Sequence, residues 1–166
     1  MQTKEGGCTM KPYEVFASRF GCRVAFNSEL VVEKGQRYYL LNPRLKMLLQ
    51  NDYYYVGLYL GKVKNGMFFP SFNLLNLLVG AAANKIVVDP KAAWLFICGR
   101  DIFRLGILKV MGSKRKGDAT LVLNEFGECL GFGMILDNIV GSDGKIAVKN
   151  VLDVGDFLRR ESRGRF

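Results

Sequence analysis

Four arginines fall within seven residues near the end of this sequence, Arg159, Arg160, Arg163 and Arg165, with Glu161 the one acid among them. Arginine presents a planar fork of donors that matches phosphate oxygens and stacks on bases, so such a cluster suits an RNA clamp. The same run of charge also suits a solvated basic terminus. A second cluster, Lys109, Lys114, Arg115 and Lys116, precedes the pair Gly117-Asp118. It reads either as an extension of the phosphate track or as a solvated hairpin tip, the latter slightly favoured. The three consecutive tyrosines Tyr53 to Tyr55 could stack on bases, but strands favour aromatic residues anyway.

Other chemistries lack their residues. The chain has no histidine, which removes Ser-His-Asp triads, Cys-His pairs and every His-containing zinc site. Gly112 to Gly117 contains glycine and lysine without the spacing of a P-loop. Gly131-Phe132-Gly133 lacks the third glycine and the strand-turn-helix setting of a dinucleotide fingerprint. No pair of carboxylates stands out, so an enzyme is the weaker class and no cofactor is expected. Cys8, Cys22, Cys98 and Cys129 form no CxxC pair, and buried reduced thiols in a cytosolic protein are expected.

The elements that would position these arginines are short. From Lys85 onward, apolar runs at Val87-Val88, Trp94–Cys98, Ile107–Val110, Thr120–Leu123, Leu130–Leu136 and Ile146–Val148 are broken by glycines. That pattern predicts a small all-β barrel or sandwich. Earlier in the chain, Thr9 is a candidate cap for a helix from about Met10 to Phe20, with Tyr13, Phe16, Ala17 and Phe20 on one face and Gly21 as the stop. Strands are expected at Cys22–Phe26 and Tyr53–Val63, and a hairpin over Leu30–Leu41. Asn42-Pro43 should open a short helix through Gln50. Gly66 to Asn84 carries no charge, but Pro70, Ser71 and three asparagines argue against a membrane span. Ser71 instead caps a helix apolar nearly all round, expected to lie buried between two halves. The domain boundary falls at Asn84, giving domains 1–84 and 85–166.

The global numbers fit this division. One hundred and sixty-six residues, 49% of them apolar, can bury a core in one domain or two small ones. The net charge of +9 points to a polyanionic partner, most often nucleic acid. Both parts are basic, with ten basic and five acidic residues before Lys85 and fourteen and ten from there on, so only local clusters are informative. The polar first ten residues do not read as a signal peptide.

Gly99-Arg100-Asp101-Ile102-Phe103-Arg104-Leu105-Gly106-Ile107 resembles the GxxVLxxGV segment of PUA domains, small RNA-binding barrels. Gly117-Asp118, Asn124 to Gly127 and Leu130-Gly131-Phe132-Gly133 resemble the later PUA pattern. That last strand, followed by Asp153 to Glu161, is similar to the "LGFG … DIGEYVRHE" ending of the Nip-seven family of ribosome-assembly factors. The likeness extends to Lys85–Pro90 and to Tyr38-Tyr39-Leu40. It implies an α+β fold, with an N-terminal α/β domain packed on a C-terminal PUA-type β-barrel, or pseudobarrel. It also implies a non-catalytic role in maturing large-subunit rRNA, with pre-rRNA as partner and other ribosome-assembly or RNA-degradation factors as further partners. Arg159, Arg160 and Arg163 fall where family members place basic side chains, and Arg165 extends the set. Position 160 holds arginine where the family ending has histidine. Arg100 and Arg104, expected on a short helix between Gly99 and Gly106, lie near the element with which PUA domains commonly present RNA, and Lys109 follows. A translation factor pairing a PUA domain with a small α/β domain, or an accessory subunit of an RNA-modifying enzyme, is the alternative. The short length favours an archaeal, hence cytoplasmic, protein; a eukaryotic member would be nucleolar.

Overall fold

The computed structural model describes residues 10–44, 57–137, 139, 144–156 and 159. Helix α1 (Pro12–Ser18) starts with proline in its first turn, and the N–H of the capping residue Lys11 donates to the Glu14 carboxylate at 2.8 Å. The cap expected at Thr9 lies outside the described residues. Tyr13, Phe16, Ala17 and Phe20 are buried, as their spacing predicts, and Gly21 ends the element with φ +69°. The strand expected at Cys22–Phe26 does not form. The segment is irregular and lays Cys22, Val24 and Phe26 against the core without a partner strand. Alternation of apolar residues makes a strand only where a sheet edge is free to receive it.

Strands β1 (Val31–Lys34), β2 (Arg37–Leu40), β3 (Leu58–Lys64) and β4 (Met67–Pro70) form an antiparallel sheet in sequence order. Two of its connections are two-residue turns with both residues at positive φ, Gly35-Gln36 (55° and 62°) and Asn65-Gly66 (51° and 74°). This mirror-image turn matches the twist of the strands it joins. The Leu30–Leu41 hairpin was legible; β4 was not. Asn42 accepts from the Arg44 N–H at 3.0 Å, as a cap should. The rest of the helix through Gln50, and Tyr53 to Tyr55, lie outside the described residues. Helix α2 (Phe72–Val79) is capped by Ser71, whose side chain accepts from the Leu74 N–H. It buries Leu74, Leu75 and Leu78 but leaves Leu77 exposed, so one face is buried and not the whole circumference.

The second sheet is built from β5 (Lys85–Val88), β6 (Ile102–Phe103), β7 (Ile107–Met111), β8 (Ala119–Leu123), β9 (Cys129–Ile135) and β10 (Ile146–Asp153). These six strands lie in the order β6-β10-β9-β8-β5-β7. β5 and β8 pair in parallel and the other neighbours are antiparallel. Helix α2 packs on β3 of the first sheet and on β9 of this one. The edge strands β6 and β7 are joined by only the 3-10 turn Arg104–Gly106. Four consecutive Cα steps reach at most about 15 Å, whereas five strand spacings across a flat sheet span about 24 Å. The sheet must therefore curl until its edges approach, which makes it a half-barrel. The run Trp94–Cys98 is not a strand: it belongs to helix α3 (Pro90–Ile97), capped by Asp89, whose carboxylate accepts from the Ala92 N–H at 2.7 Å. Nor is the segment between Gly99 and Gly106 a helix; Arg100 lies in an irregular loop and Arg104 in the 3-10 turn.

Cys22 and Cys129 are half-buried free thiols, but Cys98 is exposed at the end of α3, contrary to the expectation of buried cysteines; Cys8 is outside the described residues. Among the described residues no helix is long and apolar enough to cross a membrane, and no cluster of cysteines and acids is placed to hold a metal.

Candidate nucleic-acid interface

The end of α3 organises the surface where the arginines were expected to act. Its last carbonyls need donors, because no further turn of helix supplies them. Asn150 of β10 donates its side-chain amide to the Phe96 carbonyl at 2.8 Å, and Arg159 donates through Nη1 to the Ile97 carbonyl at 2.5 Å. The other arm of Arg159 meets the Asp153 carboxylate at 2.6 Å. Asp153 is 2% exposed. The hydrogen bond to Asp153 is the main reason the Arg159 guanidinium is held above its ordinary pKa, with the charges of Asp153 and Asp156 acting in the same direction. Gly99, at φ +86°, passes directly over this guanidinium; a Cβ there would stand 3.2 Å from Cζ. Arg159 is thus engaged by the protein's own acid and helix end, leaving only part of its side chain to solvent.

Arg104 is also turned inward. Its side chain is 7% exposed and pairs with Asp137 at 3.0 Å. Its backbone N–H donates to the Lys145 carbonyl, fixing the turn between β6 and β7. Arg100 is exposed, and it lines the same open depression as Arg159 and Asp156. Lys109 is exposed on the edge strand β7. Lys114, Arg115 and Lys116 are exposed on a turn held by Ser113, whose hydroxyl donates to the Asp118 carboxylate and whose N–H donates to Asn84 at 2.9 Å. Arg115 itself approaches Asp118 at 3.5 Å. Arg160, Arg163 and Arg165 lie outside the described residues. Of the predicted set, Arg100 and Arg159 come together, Arg104 is buried, and Lys109 stands apart on the sheet edge.

Sequence reasoning missed the apolar part of this surface. Phe103 is 46% and Leu105 65% exposed, and with Lys91, Leu95, Asp89 and Asp101 they line an open cavity of about 350 Å³ between α3 and the β6–β7 turn. Gly106 makes the close approach possible, since a Cβ there would lie 2.5 Å from that of Ala92. The Gly106 carbonyl accepts from the Asp89 N–H at 2.9 Å, and Asp101 accepts from the Asn150 N–H at 2.9 Å. An exposed aromatic ring beside a lysine and two acids can stack on an unpaired base and hydrogen-bond its edge. Pairing alternation in β6 was the available signal: Ile102 points in, so Phe103 must point out.

Residues 84–162 match the UPF0113 PUA domain. PUA domains are RNA-binding domains, and this half of the chain has their curled sheet. A UPF0113 protein of Archaeoglobus fulgidus is 28% identical over 141 residues, covering 80% of this chain and 79% of that one. A conserved PUA domain protein of Thermoplasma acidophilum superimposes with a TM-score of 0.59 at 25% identity, over 89% of this chain and 90% of that one. A hypothetical protein of Pyrococcus horikoshii has the same fold, with a TM-score of 0.50 at 18% identity over 79% of this chain and 77% of that one.

Proposed function

Proceeding from a half-chain that matches the UPF0113 PUA domain, we propose that this protein binds RNA without catalysis and serves in the maturation of large-subunit rRNA. The observation that carries the RNA reading is the surface of that domain: exposed Arg100 and Lys109, with Phe103 and Leu105 around an open cavity. Phosphates sit on the cations and a splayed base on the aromatic ring. Arg159 positions the end of α3 and contributes only its exposed edge; Arg160, Arg163 and Arg165, outside the described residues, are proposed as further phosphate contacts on the strength of the family resemblance alone. The assembly role rests on the similarity of the LGFG strand and the Asp153–Glu161 ending to the Nip-seven family. A cytoplasmic site of action belongs to the same proposal, as the expectation for an archaeal protein.

The test is a salt titration of RNA binding. Reversing both exposed cations, Arg100→Glu with Lys109→Glu, should weaken binding to single-stranded RNA and lower the log–log salt slope by about 1.4, roughly 0.7 for each phosphate that is no longer neutralised. Unchanged affinity and slope would remove the RNA interface from this half. The assembly role is tested by sedimentation of tagged protein. Co-migration with large-subunit precursors supports it, and co-migration with small-subunit initiation complexes moves the reading to a translation factor.

A further inference from the structure

We propose that the outward face of the four-stranded sheet is a second surface for single-stranded RNA, separate from the PUA domain; the choice of ligand rests on the RNA-binding reading above, the location does not. The register puts Lys34 opposite Arg37, Arg37 opposite Lys62, and Lys62 opposite Phe69, one row across all four strands. At roughly 4.8 Å per strand the row is about 14 Å long. The next positions on the same face are Tyr39 opposite Tyr59, and Lys64 opposite Met67. The other face is the core face, carrying Tyr38, Leu60, Val63 and Phe68.

Glu33 is the one acid among the described residues of these strands, and it lies on the core side, where it hydrogen-bonds Tyr38. Like charges directly opposite each other weaken a sheet. Arg37 and Lys62, exposed and directly opposite each other, therefore work against folding and leave positive charge on that face. A polyanion relieves that repulsion. Aromatic and thioether groups share the face with the cations. The Tyr39 and Tyr59 rings lie 5.4 Å apart; Tyr39, 3% exposed, and half-buried Tyr59 floor a concavity of about 280 Å³ that Arg37 and Lys62 flank. Phe69 and Met67 are 42% and 61% exposed. Exposed cations with the exposed Phe69 ring at the end of their row fit a strand whose bases are free to stack, whereas a duplex would offer its phosphates but no base faces.

The experiment uses the full chain and a labelled oligouridylate of about twelve nucleotides. Arg37→Glu with Lys62→Glu should weaken binding about tenfold or more and lower the salt slope by about 1.4, while Arg37→Lys with Lys62→Arg keeps both. Phe69→Ala should weaken binding about fivefold with the slope unchanged, because a ring releases no counterions. All of these positions are exposed, and circular dichroism confirms that each variant is folded. If the reversed pair binds like wild type while Arg100→Glu with Lys109→Glu does not, the sheet surface is overturned and the PUA reading stands. If wild type does not bind, both fall. If polyglutamate competes as well as RNA at equal charge, the face belongs to an acidic protein and the proposal is wrong.

Discussion

The molecule has two cores of different make-up. Inside the curled sheet, Ile86, Val88, Phe96, Ile102, Val122, Ile135, Ile139, Ala147 and Val148 form a cluster with a single aromatic ring, drawn entirely from the C-terminal half. The other cluster joins Tyr13, Phe16, Phe20, Tyr38, Leu60 and the α2 leucines to Ala119, Leu121 and Phe132 of β8 and β9. It is rich in rings, and Phe132 meets Phe16 and Phe20 edge to face at 5.5 and 5.7 Å. Strand β8 is buried along its whole length because it serves both, Val122 facing the half-barrel core and Leu121 the seam. The half-barrel has a core of its own, whereas the N-terminal sheet completes its core with side chains from beyond Asn84. Burial does not divide where the chain does.

The strongest way to break this comparison is to remove the ring that crosses the seam. Phe132→Ala should cost about 3–5 kcal/mol, the usual loss for a buried phenylalanine, measured by urea denaturation. Because the clusters share β8, unfolding should remain one transition whether followed by tyrosine signals from the N-terminal part or by the sheet. Two separated transitions in the wild type would show that the cores are independent. A smaller effect is expected at the α3 terminus. Arg159→Ala strips a buried carboxylate of its partner, and such removal destabilises through the uncompensated charge. Its melting temperature should fall, Asp153→Asn in the same chain should recover part of the loss, and Arg100→Ala should change stability by no more than about 0.5 kcal/mol. Equal effects of Arg159→Ala and Arg100→Ala would return Arg159 to the role of a free cation.

What the sequence carried was local. The Gly35-Gln36 turn, the Ser71 cap and the Tyr13–Phe20 face depend on residues within one turn or one helix repeat, and each was readable. Trp94–Cys98 was readable and misread: Asp89-Pro90 is a helix start, but a short apolar run has no period of its own. The arginines show the other limit. Their type suits phosphate wherever they stand, but what each one meets is set by pairing across the fold. Arg104 finds Asp137 because β9, which Asp137 follows, lies two strands from β6 in the sheet, and Arg159 couples nearby Asp153 to the Ile97 carbonyl because β10 and α3 converge. The row from Lys34 to Phe69 was hidden for the same reason, since a register irregularity between Tyr38 and Tyr39 decides which β3 residues share its face.

The gentlest probe of the seam uses its own cysteines. Cys129 starts β9 at the edge of the aromatic cluster, and burial pushes its thiol up to about 11. At pH 8 roughly one molecule in a thousand then carries the reactive thiolate. Cys98 stands exposed at the end of α3. A thiol reagent followed by peptide mass spectrometry should therefore modify Cys98 before Cys129, with Cys129 gaining about tenfold per pH unit until its own titration is reached. The direction follows from the protonated form being favoured by burial: raising pH restores reactivity, and unfolding restores it at once. Equal rates at neutral pH would mean that the aromatic seam opens in the native state, and that the N-terminal sheet, with any RNA surface on it, moves independently of the half-barrel.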